Sequence, residues 1–244
     1  MGAHIGGEAE SRMNSAPPKR SAKALLRALV PASVADVVLS PWRKFYWRKN
    51  RVVPGRNRKI ARAIVARGQP VKLELGSWKR PGREDWTFSD IGGSGDIQLD
   101  LTQPIPFPDN SVARIYTSHL LEHFSYPRPM LDLLGECHRI LKPGGELRIA
   151  VPNARIFLDA YLSPKPFEVQ RYCGYDVGLS LKNRIDYVNF IAYMGGDHKH
   201  LFDVDNLVEV LSQAGFHDAR IREFDASIDL EVRRHESIYA VGHK

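Results

Sequence analysis

The chain predicts an α/β protein built on a mostly parallel sheet, and three observations lead there. From residue 71 onward, short apolar runs alternate with stretches whose apolar residues recur at helical spacing. Polar residues close successive runs, at the carboxyl ends where open parallel sheets collect ligands. A chain of 244 residues, 43% of them hydrophobic, is long enough for one sizeable core with appendages.

Residues 1–20 combine Gly, Ala, Ser, Pro and charge without apolar periodicity and are expected to stay disordered. Short amphipathic helices are expected at about 21–30 and 33–39, punctuated by Pro31, Pro41 and Pro54. "NRKIARAIVARG" places Ile60, Ile64 and Val65 on one helical face before Gly68 stops it. Strands follow at 71–76, 87–91, 97–100, 112–117 and 146–151. Between the last two, "PRPMLDLLGECHRIL" carries Met130, Leu133, Leu134, Cys137, Ile140 and Leu141 as a helical stripe, which "KPGG" is expected to end. A helix at 153–162 precedes an irregular stretch, 163–203, with Pro164, Pro166 and paired glycines at 195 and 196; such insertions serve as lids or binding loops. Alternation resumes with "DVDNLVEVLSQAGF", capped by Asp203 or Asp205 and closed by Gly215, and "HDARIREFD" and "ESIYAVGHK" supply two last strands. The expected organisation is a basic, partly disordered extension over 1–54 and a domain over 55–244 with a cap at about 163–203.

Charge is unevenly spread. Residues 1–70 hold 15 Lys and Arg against 3 Asp and Glu, whereas residues 71–244 hold 20 against 25. The leader "PWRKFYWRKNRVVPGRNRK" mixes cations with Trp42, Phe45, Tyr46 and Trp47, a pattern suited to an anionic membrane surface through residues 20–60 or to RNA; the acidic balance beyond it speaks against nucleic acid. No apolar run approaches the roughly 18 residues of a membrane span, and the start lacks a signal-peptide pattern. Cys137 and Cys173 make neither a disulfide framework nor a metal spacing. The expectation is a cytoplasmic protein, peripheral to a membrane at most.

Glu74, Gly76 and Ser77 close the first strand, Asp90 the second, Asp100 the third, Ser118 and His119 the fourth, and Pro152 and Asn153 the fifth. All are expected to face one crevice. Asp90 follows the first loop glycine at a distance suited to an acid that accepts ribose hydroxyls.

The run "LELGS … FSDI … IQLDLTQPIPFPDNSVARIYTSHLLEHF … ECHRILKPGGELRIAVPN" resembles the class I S-adenosylmethionine-dependent methyltransferases, especially the type 11 group. The resemblance spans about 71–153 and implies a Rossmann-like methyltransferase fold, a mostly parallel seven-stranded sheet with helices on both faces. It implies S-adenosyl-L-methionine as cofactor, with Glu74, Gly76, Ser77 and Trp78 in the loop beneath its methionine end. Asp90 would take the ribose hydroxyls, Asp100 and Leu101 the adenine edge, and Ser118 and His119 would border the methyl group. Trp78 departs from the pattern, which favours glycine near this point; the indole either walls the cofactor or fills its site. The resemblance also implies a small-molecule or glycan acceptor, a sugar hydroxyl in polysaccharide biosynthesis being the first to consider. The alternatives are a degenerate, scaffolding methyltransferase fold and an RNA methyltransferase.

Methyl transfer from a sulfonium is an in-line displacement, so a base is needed mainly for a hydroxyl acceptor. His119 and His123, four apart around Glu122, share a face if the turn is helical; His123 reads better as an anchor of a buried turn. In the cap, "GGDHKHLFD" gathers Asp197, His198, His200 and Asp203, and His198 or His200 is a candidate base beside the acceptor. The four lack a defined ligand spacing, so no metal is expected. Tyr172, Tyr175, Tyr187 and Tyr193 line an acceptor pocket or form the cap's own core.

Overall fold

The computed structural model describes residues 54–77, 85–92, 95–172 and 183–244, all within the unit Val52–Lys244. The expectations for the basic leader, for Trp78 and for Cys173 and Tyr175 fall outside the described residues.

Among the described residues seven strands form one sheet: β1 (Val71–Leu75), β2 (Thr87–Asp90), β3 (Ile97–Gln98), β4 (Val112–Ser118), β5 (Leu141–Pro152), β6 (His217–Ile221) and β7 (Ser237–His243). Their order is β3-β2-β1-β4-β5-β7-β6. Neighbours from β3 to β5 run parallel, while β7 pairs antiparallel with both β5 and β6. The mostly parallel seven-stranded sheet expected from the alternation is therefore present.

The helices are α1 (Pro54–Val65), α2 (Met130–Ile140), α3 (Ala154–Leu162), α4 (Val169–Tyr172), α5 (Arg184–Tyr193) and α6 (Val204–Gln213). Strand alternation sends Leu73, Leu75, Ile115, Leu147 and Ile149 into one core with Met130, Leu134 and Ile140 of α2 and Leu207, Val210 and Leu211 of α6. Ala61 and Ile64 of α1 join the same core, and Asn57 Nδ2 of α1 donates to the Gln98 carbonyl of β3. Each leucine seated there contributes about 1.5–3 kcal/mol through its removal from water.

Two expectations need correction, and one open choice is resolved. β5 begins at Leu141 rather than at 146, because the main chain of Leu141 pairs with Val112; "KPGG" lies within the strand. The stretch 163–203 is not simply irregular: it holds α4, the ten-residue α5 with Asn183 and Asp186 in a capping box, and a 3₁₀ turn at Met194–Gly196. Phe157, Phe190 and Ile191 form a second small core there, and Phe167, Tyr172 and Tyr187 pack against it. Finally, Asp203, not Asp205, caps α6, accepting from Asn206 N at 2.8 Å.

Among the described residues no helix is long and apolar enough to cross a membrane.

Candidate active site

The loop after β1 turns at Gly76, whose φ of +70° lies in the left-handed region. A Cβ at this position would stand 2.9 Å from Leu120 Cδ1, so glycine lets the Leu120 side chain pack against the backbone of this strand end. Ser77 is buried; its N–H and its hydroxyl both donate to the Ser89 carbonyl, at 3.0 and 3.2 Å, and bind the loop to β2. Glu74 is buried on β1 between Phe88 of β2 and Tyr116 of β4.

Asp90 ends β2 and is 9% exposed. Its Oδ1 accepts from Gly92 N at 2.5 Å, which fixes the carboxylate. Asp100 closes the stretch after β3, where Oδ1 accepts from both the N–H and the hydroxyl of Thr102, at 3.0 and 2.7 Å. Leu101 beside it packs on the main core.

At the end of β4 the chain turns sharply. His119 has φ +51°, uncommon for a residue with a side chain, and strain of this kind collects at functional positions. Its N–H donates to the Ala150 carbonyl of β5 at 2.8 Å. The imidazole faces β7: Nε2 lies 2.7 Å from Ser237 Oγ, and Nδ1 lies 3.9 Å from a Glu236 carboxylate oxygen. Arg233 Nη1 donates to the carbonyl and hydroxyl of Ser118, at 2.8 and 2.9 Å, so the turn before β7 braces the strand end.

The left-handed turn also separates the two histidines of "SHLLEHF". His119 reaches β7, whereas His123, at the end of the 3₁₀ turn Leu121–His123, reaches the cap, with its Nδ1 3.0 Å from the Asp197 carbonyl. The helical spacing therefore does not place them on one face. The His123 side chain is itself 40% exposed, while Leu121 and Glu122 of the turn it ties to the Asp197 carbonyl are buried. Glu122 is the buried acid of that turn at 2% exposure, and burial pushes its carboxyl up to about 8. Arg233 lowers that value and Glu236 raises it, so the two charges oppose each other at this carboxyl.

The cap histidines part company as well. His198 is buried with Nδ1 2.7 Å from the Ile191 carbonyl, its ring edge-on to His123 at 5.3 Å, and burial holds its imidazole below the ordinary range. His200 instead sets Nε2 3.0 Å from Asn206 Oδ1 and packs on Phe202. Asp203 is spent on its helix cap, so the four residues Asp197, His198, His200 and Asp203 do not form one cluster. Of the cap tyrosines, Tyr172 stacks on Phe167 and Tyr187 leans on the same ring, while Tyr193 is 62% exposed. A groove of about 340 Å³ lies beside them between Ile156, Ala160, Lys165, Phe167 and Tyr172.

Sequence reasoning overlooked Glu236, Ser237 and Arg233, and it treated Glu122 only as a spacer between histidines. The first three stand at the start of an antiparallel strand, outside the rule that points to carboxyl ends. For Glu122, an acid in the otherwise apolar "HLLEHF" was the available signal.

The residues present suit a ligand that carries hydroxyl or amino donors: a left-handed glycine turn at Gly76, an anchored acid at Asp90 and a second acid at Asp100. Residues 87–149, from β2 into β5, match the family model described as a methyltransferase domain. No curated protein sequence matches the chain. Solved structures that are similar include an S-adenosylmethionine-dependent methyltransferase from Archaeoglobus fulgidus, 16% identical over 83% of this chain and 100% of that one, with a TM-score of 0.44. Another is a possible histamine N-methyltransferase from Thermotoga maritima, 11% identical over 86% and 98%, with a TM-score of 0.45. A third is phosphoethanolamine N-methyltransferase 2 from Haemonchus contortus in complex with S-adenosyl-L-methionine, 12% identical over 75% and 52%, with a TM-score of 0.39. The methyltransferase-domain match thus covers residues 87–149, which run from β2 into β5 of the seven-stranded, mostly parallel sheet.

Proposed function

We propose that the protein is an S-adenosylmethionine-dependent methyltransferase that methylates a hydroxyl of a small molecule or glycan, with His119 at the reacting centre. The observation that carries this reading is the environment of His119: a left-handed strand-end residue with a hydroxyl on one ring nitrogen and a carboxylate facing the other. A carboxylate behind an imidazole favours the proton-accepting role, and Ser237 Oγ marks a position that a hydroxyl occupies within hydrogen-bond reach of Nε2.

In this reading Gly76 and Ser77 form the loop beneath the cofactor's methionine end, Asp90 holds its ribose, and Asp100 with Leu101 meets its adenine. Ser118, braced by Arg233, borders the methyl group. S-adenosylmethionine supplies an electrophilic methyl on a sulfonium. The protein aligns the acceptor, His119 takes the hydroxyl proton, and Glu236 steadies the imidazolium that results. His198 and His200 are less favoured as bases: burial holds the His198 imidazole below the ordinary range, and Asn206 already engages Nε2 of His200. The basic leader is proposed to rest on anionic lipid at the cytoplasmic face.

Incubation with methyl-labelled S-adenosylmethionine and a panel of sugars, followed by mass spectrometry, tests the acceptor class. A transferred methyl on a hydroxyl, reduced about 10²–10⁴-fold by His119→Asn, supports the reading. Transfer to nitrogen only, or full activity in that variant, overturns it. Vesicle flotation with and without residues 1–50, over a salt series and against RNA, tests the leader; RNA binding in place of lipid binding overturns the membrane role.

A further inference from the structure

Where the turn after β4 meets the end of the cap, three side chains converge: Glu122, His123 and His198. Their ligand atoms all lie within 4.8 Å of one another. His123 Nε2 is 3.9 Å from Glu122 Oε1, and the two rings are 5.3 Å apart.

Tautomer chemistry orients this group. A carbonyl oxygen only accepts, so the Nδ1 of His123, 3.0 Å from the Asp197 carbonyl, must carry a proton. The same holds for the Nδ1 of His198, 2.7 Å from the Ile191 carbonyl. In the neutral rings both Nε2 atoms are then lone pairs. Backbone carbonyls holding the far nitrogen in this way are the usual support of metal-ligating histidines.

A second observation points to an occupant. Glu122 is 2% exposed, and its buried Oε2 has no hydrogen-bond partner among the described residues. Leaving such an oxygen unmet costs about 1–3 kcal/mol, and more when it is charged. Two lone pairs and an unmet carboxyl oxygen converge at one point, and a cation that displaces the carboxyl proton satisfies all three.

We propose that Glu122, His123 and His198 bind a divalent first-row transition ion, of which zinc is the best fit. Two imidazole nitrogens and one carboxylate with a remaining position suit that class, whereas magnesium and calcium prefer all-oxygen shells. Ligands about 2.1 Å from one ion sit roughly 3.4 Å apart on a tetrahedron, so closing the trio needs side-chain shifts of about an ångström. The remaining position opens on the side of the half-exposed His123.

The ion would clamp the cap to the sheet. The main chain already joins the same two segments: Lys199 N and His200 N donate to the Glu122 carbonyl at 2.7 and 3.2 Å. The inference is independent of the methyl-transfer reading, since the trio includes none of the cofactor residues.

Titration of the metal-free full chain with Co²⁺, followed by its visible absorption and by Zn²⁺ displacement, provides the test. One equivalent bound with d–d bands is expected, weakened at least about tenfold in His123→Ala and Glu122→Gln and unchanged in His217→Ala. His123 is exposed enough for its variant to fold, and circular dichroism checks this for each protein. Absence of Co²⁺ binding by folded protein, or equal binding by His123→Ala, overturns the proposal. Calorimetry with S-adenosylmethionine on the same samples keeps a failure of the metal site distinct from a failure of the methyltransferase reading.

Discussion

Asp90→Asn tests the proposed ribose contact apart from the fold. The substitution keeps the shape of the side chain and one acceptor oxygen, so the 2.5 Å bond from Gly92 N survives and the turn after β2 stays in place. What changes is the second oxygen: an anionic acceptor aimed at the ribose becomes an amide N–H₂. A hydrogen bond to a charged group contributes about 1.5–3 kcal/mol. At about 1.4 kcal/mol per tenfold, S-adenosylmethionine binds roughly 10–150-fold more weakly. The ribose contact is made equally before and during methyl transfer, so KM for the cofactor rises while kcat stays near the parent value. Isothermal calorimetry with S-adenosylmethionine and S-adenosylhomocysteine reads the first effect, and initial rates read the second. Unchanged affinity in a folded variant would place the ribose elsewhere in the crevice. A parent protein that binds neither ligand at millimolar concentration would remove the cofactor assignment as a whole.

Three other expectations follow from the same coordinates. Gly76→Ala forces a side chain into the left-handed region at φ +70° and presses on Leu120, so thermal unfolding shows a loss of about 1–2 kcal/mol; a neutral effect refutes the need for glycine at this turn. Arg222 binds Asp229 bidentately, at 2.6 and 2.7 Å, with the Asp229 side chain fully buried; urea unfolding of Asp229→Ala shows about 3–5 kcal/mol lost, whereas a paired replacement by Met and Leu recovers most of it. Burial pushes the Cys137 thiol up to about 12, so in a Cys173→Ser background a thiol reagent at pH 8 modifies Cys137 only as fast as the protein unfolds.

The sheet was legible because strand alternation and helix stripes are local properties. Val71, Leu73 and Leu75 state their face by period two, and Met130, Leu133, Leu134, Cys137 and Ile140 state theirs by helical spacing. The carboxyl-end rule then marked Gly76, Asp90, Asp100, Ser118 and His119 without reference to pairing. The start of β5 was not legible, since "KPGG" carries the composition of a turn and only pairing of Leu141 with Val112, about 30 residues away in the chain, makes its segment a strand.

The part of the site that lay hidden depends on returns of the chain that no window contains. Glu236 and Ser237 meet His119 across more than 100 residues, through the antiparallel insertion of β7 beside β5. Glu122 shows the same effect more strongly. Within "SHLLEHF" it is one acid between two histidines, and helical spacing would set it beside His119, three residues earlier. His119 breaks that spacing by turning left-handed, which sends its own ring to β7 and lets the 3₁₀ turn face the other way. The cap then comes back at 197–200, donates two main-chain bonds to the Glu122 carbonyl and lays His198 over the carboxyl. Burial and metal-ligand geometry at Glu122 thus arise from one event, the docking of the cap on the strand end. A ligand that holds Glu122 to His198 would hold the cap closed over the same crevice edge that His119 borders.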